Sequence, residues 1–339
     1  MLFAKVKKEN GERIRRFLIE SEAFANGYRI INEGGFVYFP IMKRIKGDFE
    51  IVEQEAEPLQ KHFSKMEDAL SGILSEEEME NLITSFDLIG DIAIIDMPRE
   101  LESKEKMIAE AVLSVHKNIK VVAKKMGPME GEFRVRKLRV IAGENRTETI
   151  YKENGVRMKL DVAKVYFSVR LGTERKRISE LVTPGERILA LFAGVGPFAL
   201  VIAKSHPDAE IVAIELNPDA VRYMEENIKL NKFKKIKAVL GDAREVVVRE
   251  YLNWADRVTM PLPKSADAFL DVAIAGVKDG GVVHFYAFAN EADPYSGPRK
   301  KIEEEARKAG ASIEFLNEKI VRPYAPRVVQ VVIDFRVRK

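Results

Sequence analysis

The stretch Ile188-Leu-Ala-Leu-Phe-Ala-Gly-Val-Gly-Pro-Phe198 decides how this chain is read, together with Ile211-Val-Ala-Ile-Glu-Leu-Asn-Pro218 and Leu240-Gly-Asp242 downstream. An apolar strand runs into a glycine turn, a helix follows, and the next strand ends in the carboxylate of Glu215. That order places a nucleoside cofactor at the carboxyl edge of a parallel sheet. Gly194 and Gly196 supply the tight bend and let backbone N–H groups approach a ligand. The third glycine of a dinucleotide fingerprint is replaced by Pro197-Phe198, which weakens a pyrophosphate reading. Two acidic stations remain, Glu215 suited to ribose hydroxyls and Asp242 suited to an adenine amino group. The pattern favours S-adenosylmethionine over NAD, with Phe192, Gly194, Val195, Gly196, Glu215, Asn217, Asp242 and Ala243 as the expected cofactor-binding residues. An ordinary strand-to-helix turn would explain a lone Gly-x-Gly equally well; the two carboxylates at strand ends argue against it.

Working outward, strands are expected at 187–192, 210–215, 236–240, 256–260 and 281–287, with a closing antiparallel pair near 318–322 and 328–337. Helices are expected at 197–205, 218–230, 265–277 and 298–309. Such alternation predicts an α/β, doubly wound, Rossmann-like domain over 165–339. Two smaller α+β domains precede it. Residues 1–60 read as a strand at Ala4–Val6, a helix over Gly11–Glu22 and strands at Phe36–Phe39 and Phe49–Val52. A polar linker over 61–80 leads to a middle domain over 81–164. That domain holds a strand and turn over Ser85–Ile95, a helix over Lys104–His116 and four strands between Val121 and Leu160, with an Asn154-Gly155 hairpin turn.

At 339 residues the chain exceeds what one core usually supports, and 46% hydrophobic content is ample for globular folding. The absence of cysteine excludes disulfides, thiolate zinc sites and cysteine nucleophiles. Without a run of about 18 apolar residues, and with Met1-Leu2-Phe3-Ala4-Lys5 opening no signal peptide, no membrane association and a cytoplasmic location are expected. Residues 133–177 carry thirteen Lys or Arg against five acids, an excess of eight in a chain of net charge +3. A phosphate backbone is the natural partner of such a segment, although a solvated, charge-rich strand surface would look the same. His62, His116, His206 and His284 lack metal-ligand spacing, so no metal is expected. Trp254 reads as core, and Asp293-Pro-Tyr295 as an active-site lid or a simple loop.

Seven motifs carry a resemblance: Lys164-Val-Tyr-Phe-Ser-Val-Arg170, Gly172-Thr-Glu-Arg175, Phe192-Ala-Gly-Val-Gly-Pro-Phe198, Glu215-Leu-Asn-Pro218, Asn227-Ile-Lys-Leu-Asn231, Pro261-Leu-Pro-Lys264 and Tyr324-Ala-Pro-Arg327. In this order they resemble the archaeal and eukaryotic tRNA guanine-37 N1-methyltransferases over nearly the whole chain. The resemblance implies a monomer that binds S-adenosylmethionine in a Rossmann-like class I methyltransferase domain, the tRNA elbow through residues 1–60, and the anticodon stem-loop through the middle domain. It also implies catalytic roles for Glu174 and Arg134. Guanine N1 is a poor nucleophile until its proton leaves, so Glu174 would act as general base, and Arg134 would stabilise the charge that builds on O6. Arg170, Tyr166, Arg175, Pro261, Pro263 and Lys264 fall on the substrate side. An ion pair with Arg175 or Arg177 is the competing role for Glu174.

Two positions depart from the family pattern. Ala190 stands where a carboxylate is often found, and Pro261 replaces the asparagine of an Asn-Leu-Pro-Lys or Asn-Pro-Pro-Tyr loop. Proline offers no polar side-chain group and no N–H, so base recognition must differ. This resembles the archaeal branch that also methylates C7 of 4-demethylwyosine in tRNA-Phe, giving isowyosine. A strictly monofunctional guanine-37 enzyme, a methyltransferase of another RNA, protein or small molecule, and a non-catalytic RNA-binding protein are the alternatives.

Overall fold

Alternation over Leu2–Lys7 (β1) buries Phe3, Ala4 and Val6, and it sets the pattern of the N-terminal unit. There β1 is followed by α1 (Gly11–Glu20), β2 (Ile31–Glu33), β3 (Phe36–Ile41), β4 (Glu50–Glu53) and α2 (Met66–Leu70). The sheet has the order β2-β3-β1-β4 and is antiparallel throughout. Ile14 and Leu18, one turn apart on α1, pack with Val37 and Phe39 in its core. This computed structural model describes residues 1–58, 63–82 and 84–339, with Glu130 by backbone alone, and divides into two compact units, Met1–Ser71 and Gly72–Lys339. Part of the expected linker, including His62, lies outside the described residues. The rest carries α2 and α3 (Glu76–Glu80), the latter closed by a reciprocal Ser75–Glu78 cap.

The second unit continues with β5 (Asp87–Ile89), β6 (Ile92–Ile95), α4 (Glu105–Val115), β7 (Val121–Glu130) and β8 (Val135–Gly143), a four-stranded sheet in that strand order. A two-stranded hairpin follows, β9 (Glu148–Glu153) and β10 (Val156–Asp161), turned by Asn154 and Gly155 at φ 45° and 75°. Then come α5 (Gly172–Glu180), β11 (Arg187–Leu191), α6 (Pro197–Ser205), β12 (Glu210–Glu215), α7 (Pro218–Leu230), β13 (Ile236–Leu240), α8 (Ala243–Glu250), β14 (Ala255–Met260), α9 (Leu270–Gly276), β15 (Val277–Asn290), α10 (Ser296–Lys308), β16 (Ser312–Ala325) and β17 (Val328–Arg338). The seven-stranded sheet has the order β13-β12-β11-β14-β15-β17-β16, with β11 to β15 parallel and β17 antiparallel to both neighbours. The strand order reverses between β11 and β14, and the crevice at the carboxyl ends of those strands is where such a sheet accepts a ligand.

The expected strands and helices of this sheet recur, with two additions. Helices α5 and α8 were not expected, and a 3-10 turn at 266–269 precedes a shorter α9. Residues 81–164 and 165–339 fall within one compact unit. Ile89, Ile92, Ile94, Val121, Ala123, Leu160, Val162 and Val165 share one apolar core with Val195, Ala220 and Tyr223 of the Rossmann-like part, and that shared burial joins the two sheets into one unit.

A polar clasp adds to the junction. The fully buried Asn227 of α7 accepts from Lys159 N at 2.6 Å and donates to Lys159 O at 3.0 Å and to Val195 O at 3.2 Å. One turn later, Asn231 accepts from Arg157 N at 2.9 Å and donates to Arg157 O at 2.6 Å. Two amides at helical spacing thus act as a partner strand for the free edge of β10, and Asn227 ties that edge to the cofactor turn.

Candidate active site

The turn after β11 is built from unusual backbone. Phe192, Gly194 and Gly196 adopt φ of 54°, 56° and 87°, a region glycine enters freely and phenylalanine only at a cost. Gly196 caps α6, and Pro197 occupies the first helical position with no N–H to give. The helix terminus that would cradle a pyrophosphate is therefore short of a donor. Glu215, at the end of β12, takes over the turn. Its Oε2 accepts from Gly194 N at 2.8 Å, and its Oε1 accepts from Leu216 N at 3.0 Å and Asn217 N at 2.8 Å. These backbone donors fix the carboxylate at the rim; Oε1 already accepts two of them, and Oε2, which accepts one, keeps acceptor capacity. Asp242 caps α8, accepting from Arg244 N at 2.6 Å.

A cavity of about 270 Å³ opens here. Of the expected cofactor residues, Phe192, Gly194, Glu215, Asn217, Asp242 and Ala243 line it. Val195 and Gly196 do not: the Val195 side chain is buried in the core shared with the middle sheet, and Gly196 lies against Met224. Asn217 caps α7 through Asp219 N and donates to Lys164 O at 3.0 Å, so it braces the wall it belongs to. The residues present fit an adenosine group attached to an uncharged or cationic tail. Glu215 and Asp242 are acceptors for hydroxyls and an amino group, and Leu216, Ala243, Leu262 and Phe269 give an apolar wall.

The opposite wall comes from the tip of the β7–β8 hairpin and from the segment before α5. Arg134, strained at φ 52°, lines the cavity with its guanidinium 5.6 Å from the Tyr166 ring centroid, and Tyr166 and Pro261 line it too. Glu132, Phe133, Phe167, Ser168, Leu171, Ser265 and Phe269 line the cavity without having been expected. Phe269 stands edge-on to Phe192 at 4.9 Å, a pairing that no sequence spacing announces.

Several expected site residues are placed elsewhere. Arg175 reaches the cavity wall, yet it is 1% exposed and makes four hydrogen bonds within the chain: Glu153 is gripped at 2.6 and 2.5 Å, and Ser168 O at 3.2 and 3.1 Å. Its guanidinium is a wall-building group, not a free substrate contact. Pro263 and Lys264 face a neighbouring cavity beside Phe288 and α10, because the turn at 261–265 separates the two. Arg170 points into a further cavity and pairs with Asp87 at 2.9 Å.

Glu174 is held away from the cavity. It is 4% exposed and does not line the cavity. Its carboxylate accepts from Arg177 at 2.5 to 3.0 Å and from the Tyr286 hydroxyl at 2.8 Å. Arg177 continues to Asp334 at 2.7 Å, Asp334 to His284 at 2.6 Å, and His284 to Arg257 at 2.7 Å, which Glu186 closes at 2.8 Å. Burial, reinforced by the Glu174 charge, pushes the Tyr286 phenol well above its ordinary value, so the hydroxyl remains a donor. Burial would raise Asp334 also, but the hydrogen bonds from His284 and Arg177 outweigh it and hold the carboxyl well below the usual range. Arg257 has only N–H donors to offer, so His284 Nε2 must accept, and its Nδ1–H donates to Asp334. Glu174 thus takes the ion-pair role, within a buried chain that joins α5 to β14, β15 and β17.

Among the remaining expectations, His206 Nε2 lies 2.9 Å from Ser179 O and His116 packs edge-on to Phe86. Trp254 packs against the main core. Asp293 accepts from Ser296 Oγ at 2.8 Å and pins the loop at the start of α10. Among the described residues no group of side chains has the arrangement to hold a metal, and no helix is long and apolar enough to cross a membrane.

Three family models match the chain: the tRNA methyltransferase 5 N-terminal domain over residues 5–50, the TYW2 N-terminal domain over 66–147, and the TRM5/TYW2 methyltransferase domain over 149–314. The tRNA (guanine(37)-N(1))-methyltransferase Trm5b of Pyrococcus abyssi is 47% identical over 337 residues, covering 99% of each chain. Its crystal structure superposes with a TM-score of 0.74 over the full length of both chains, at 46% identity. A structure described as the complex of aTrm5 and tRNALeu is 37% identical, with a TM-score of 0.72 over 99% of each chain. The tRNA (guanine(37)-N(1))/4-demethylwyosine(37)-methyltransferase Taw22 of Nanoarchaeum equitans is 36% identical over 258 residues, covering 61% of this chain and 84% of its own. With near-complete coverage at this identity and the cofactor edge in place, the chain belongs to the Trm5 family of tRNA (guanine-37-N1)-methyltransferases.

Proposed function

We propose that the chain transfers the methyl group of S-adenosylmethionine to N1 of guanine 37 in tRNA. The observation that carries this reading is one cavity with two kinds of wall, in a chain similar over its full length to enzymes named for that reaction. Gly194, Glu215 and Asp242 form the cofactor side, and Arg134 and Tyr166 the substrate side. When bound, S-adenosylmethionine supplies an electrophilic methyl group on a sulfonium. The chain's own residues do the rest. Glu215 and Asp242 orient the donor, and the apolar wall excludes water from it. Arg134 has no carboxylate partner among the described residues, so its guanidinium is available to the O6 charge that builds as the N1 proton leaves. Tyr166 offers a ring face to a base turned out of its stack.

Two carboxylates compete for the proton. Glu174 occupies the family's motif position, and serving as base would require it to exchange Arg177 and Tyr286 for the substrate. Glu132 lines the cavity beside Arg134 without such a change. In pH–rate profiles of Glu174→Gln and Glu132→Gln, loss of the acidic limb identifies the base. The basic segment 133–177 is read as the anticodon stem-loop surface, and the Met1–Ser71 unit as the contact to the tRNA elbow. The chain is read as a monomer. Incubation with labelled S-adenosylmethionine and bulk archaeal tRNA, followed by nuclease mapping, should place the label at position 37. Label found only elsewhere would remove the reading.

Pro261 favours a second activity on the same site, C7-methylation of 4-demethylwyosine. It lines the cavity, where an asparagine would address the guanine edge. A less polar wall leaves room for the extra ring, and Taw22 is a relative named for both reactions. In single-turnover assays Pro261→Asn should spare N1-methylation and reduce C7-methylation by about tenfold or more, one tenfold step being about 1.4 kcal/mol. Equal loss of both activities, or a wild type inert on the tricyclic base, would exclude the second activity.

A further inference from the structure

A second cavity, about 300 Å³, shares Arg134, Tyr166, Phe167 and Ser168 with the first. Five cations line it: Lys125, Arg134, Arg136, Arg170 and Arg322. Two have carboxylate partners, Lys125 with Asp96 at 2.5 Å and Arg170 with Asp87 at 2.9 Å. The other three have none among the described residues: Arg134 leans on Tyr166, and Arg322 donates to the neutral Gln330 amide at 2.9 Å. Three guanidinium groups around one hollow attract an anion, and their planar donor forks suit phosphate.

The same cavity carries an aromatic platform. Tyr324, near the tip of the β16–β17 hairpin, is 47% exposed. Its ring packs on Phe288, with centroids 3.9 Å apart and planes 30° apart, and Arg322 lies 5.7 Å from its centroid. The tip itself is held in place, since Arg327 adopts φ 62° and its carbonyl accepts from Glu291 N at 3.0 Å. An exposed ring braced from behind and flanked by guanidinium groups is the arrangement on which unpaired nucleobases stack.

We infer that this second cavity binds the nucleotide adjacent to the methylated guanine, its phosphate held among Arg134, Arg136 and Arg322 and its base stacked on Tyr324. The inference rests on the proposed reaction. A guanine drawn into the first cavity stays covalently joined to its neighbours, and the shared wall of Arg134 and Tyr166 puts this hollow one step along the strand. The site reads no base edge, so it fixes the position of the target rather than the identity of its neighbour.

The test uses the full-length protein and tRNA transcripts carrying 2-aminopurine at position 36 or at position 38. With one of the two transcripts, the Tyr324→Leu complex should fluoresce more brightly than the wild-type complex, because a stacked 2-aminopurine is quenched, while Tyr324→Phe should match wild type. With unlabelled tRNA, Tyr324→Leu should raise KM by about tenfold, the scale of one lost base–aromatic stack, with S-adenosylmethionine affinity unchanged. Identical fluorescence of wild type and Tyr324→Leu with both transcripts, or an unchanged KM, would overturn the inference. A wild type that fails to methylate guanine 37 in the unlabelled tRNA would instead overturn the proposed reaction on which it rests.

Discussion

Glu215 and Glu174 are both carboxylates within motifs of the same domain, and the fold uses them in opposite ways. Glu215 is held at the rim of the cavity by three backbone N–H groups. Those donors cannot move without the β-strand and turn that carry them, and the residue lines the cavity. Glu174 is held by side-chain donors, the Arg177 guanidinium and the Tyr286 hydroxyl, inside a chain of alternating charges that ends at Glu186. In this arrangement it ties α5 to the sheet. The lesson is that a carboxylate's partners, more than its place in a motif, decide whether it binds or braces.

If that contrast is right, breaking the network should produce the largest change in stability. Removing one member of a buried pair strands the other charge, which typically costs about 3–5 kcal/mol. Glu174→Ala should therefore unfold at markedly lower denaturant, and an unchanged midpoint would contradict the bracing role. Next in size is the clasp. Asn227→Ala leaves the Lys159 amide and carbonyl and the Val195 carbonyl without their partner, an expected loss of about 2–4 kcal/mol. Asn231→Ala touches one residue of β10 and should lose about 1 kcal/mol. Comparable effects from both would show that the link to the cofactor turn adds nothing.

On the other side of the comparison, Glu215→Ala should leave the fold intact and weaken S-adenosylmethionine binding by about 1.5–3 kcal/mol in titration calorimetry. The smallest effect concerns pH. Burial holds the His284 ring below its ordinary value of 6.5, against the pull of Asp334. A ring whose folded value is depressed takes up fewer protons in the folded state than in the unfolded one as pH falls through that value. Its contribution is therefore complete above about pH 6.5 and is lost on acidification below it. His284→Asn should flatten the fall of Tm between about pH 6.5 and 5, and a slope equal to that of wild type would show that His284 does not titrate there.

Much of this was legible in the residues. The glycine turn, Glu215 and Asp242 could be placed because a parallel strand, a tight turn and a terminal carboxylate each leave a local mark. Helix α8 was missed because Val246-Val247-Val248 reads as strand. Its helical state comes from the Asp242 cap and from burial of Ala243, Val246 and Val247, while Val248 stays exposed. The burial of Glu174 was hidden for another reason: Gly172-Thr-Glu-Arg-Lys-Arg177 has the charge density of a solvated helix, and its partners Tyr286 and Asp334 lie more than a hundred residues away. The packing across the boundary expected near residue 164 was equally invisible, because Val162 and Val165 look like the end of one unit and in fact share a core with the next. Local signals placed the cofactor edge; long-range pairing decided which charged residues were free.

The proposed reaction is tested most directly by single-turnover methylation of two tRNA transcripts that differ only in carrying guanine or adenine at position 37. The expected result is 1-methylguanosine at position 37 from the first transcript, no transfer to the second, and a rate on the first that falls sharply in Arg134→Ala while S-adenosylmethionine affinity holds. Transfer to both transcripts at similar rates, or a methyl group found away from position 37, would contradict it.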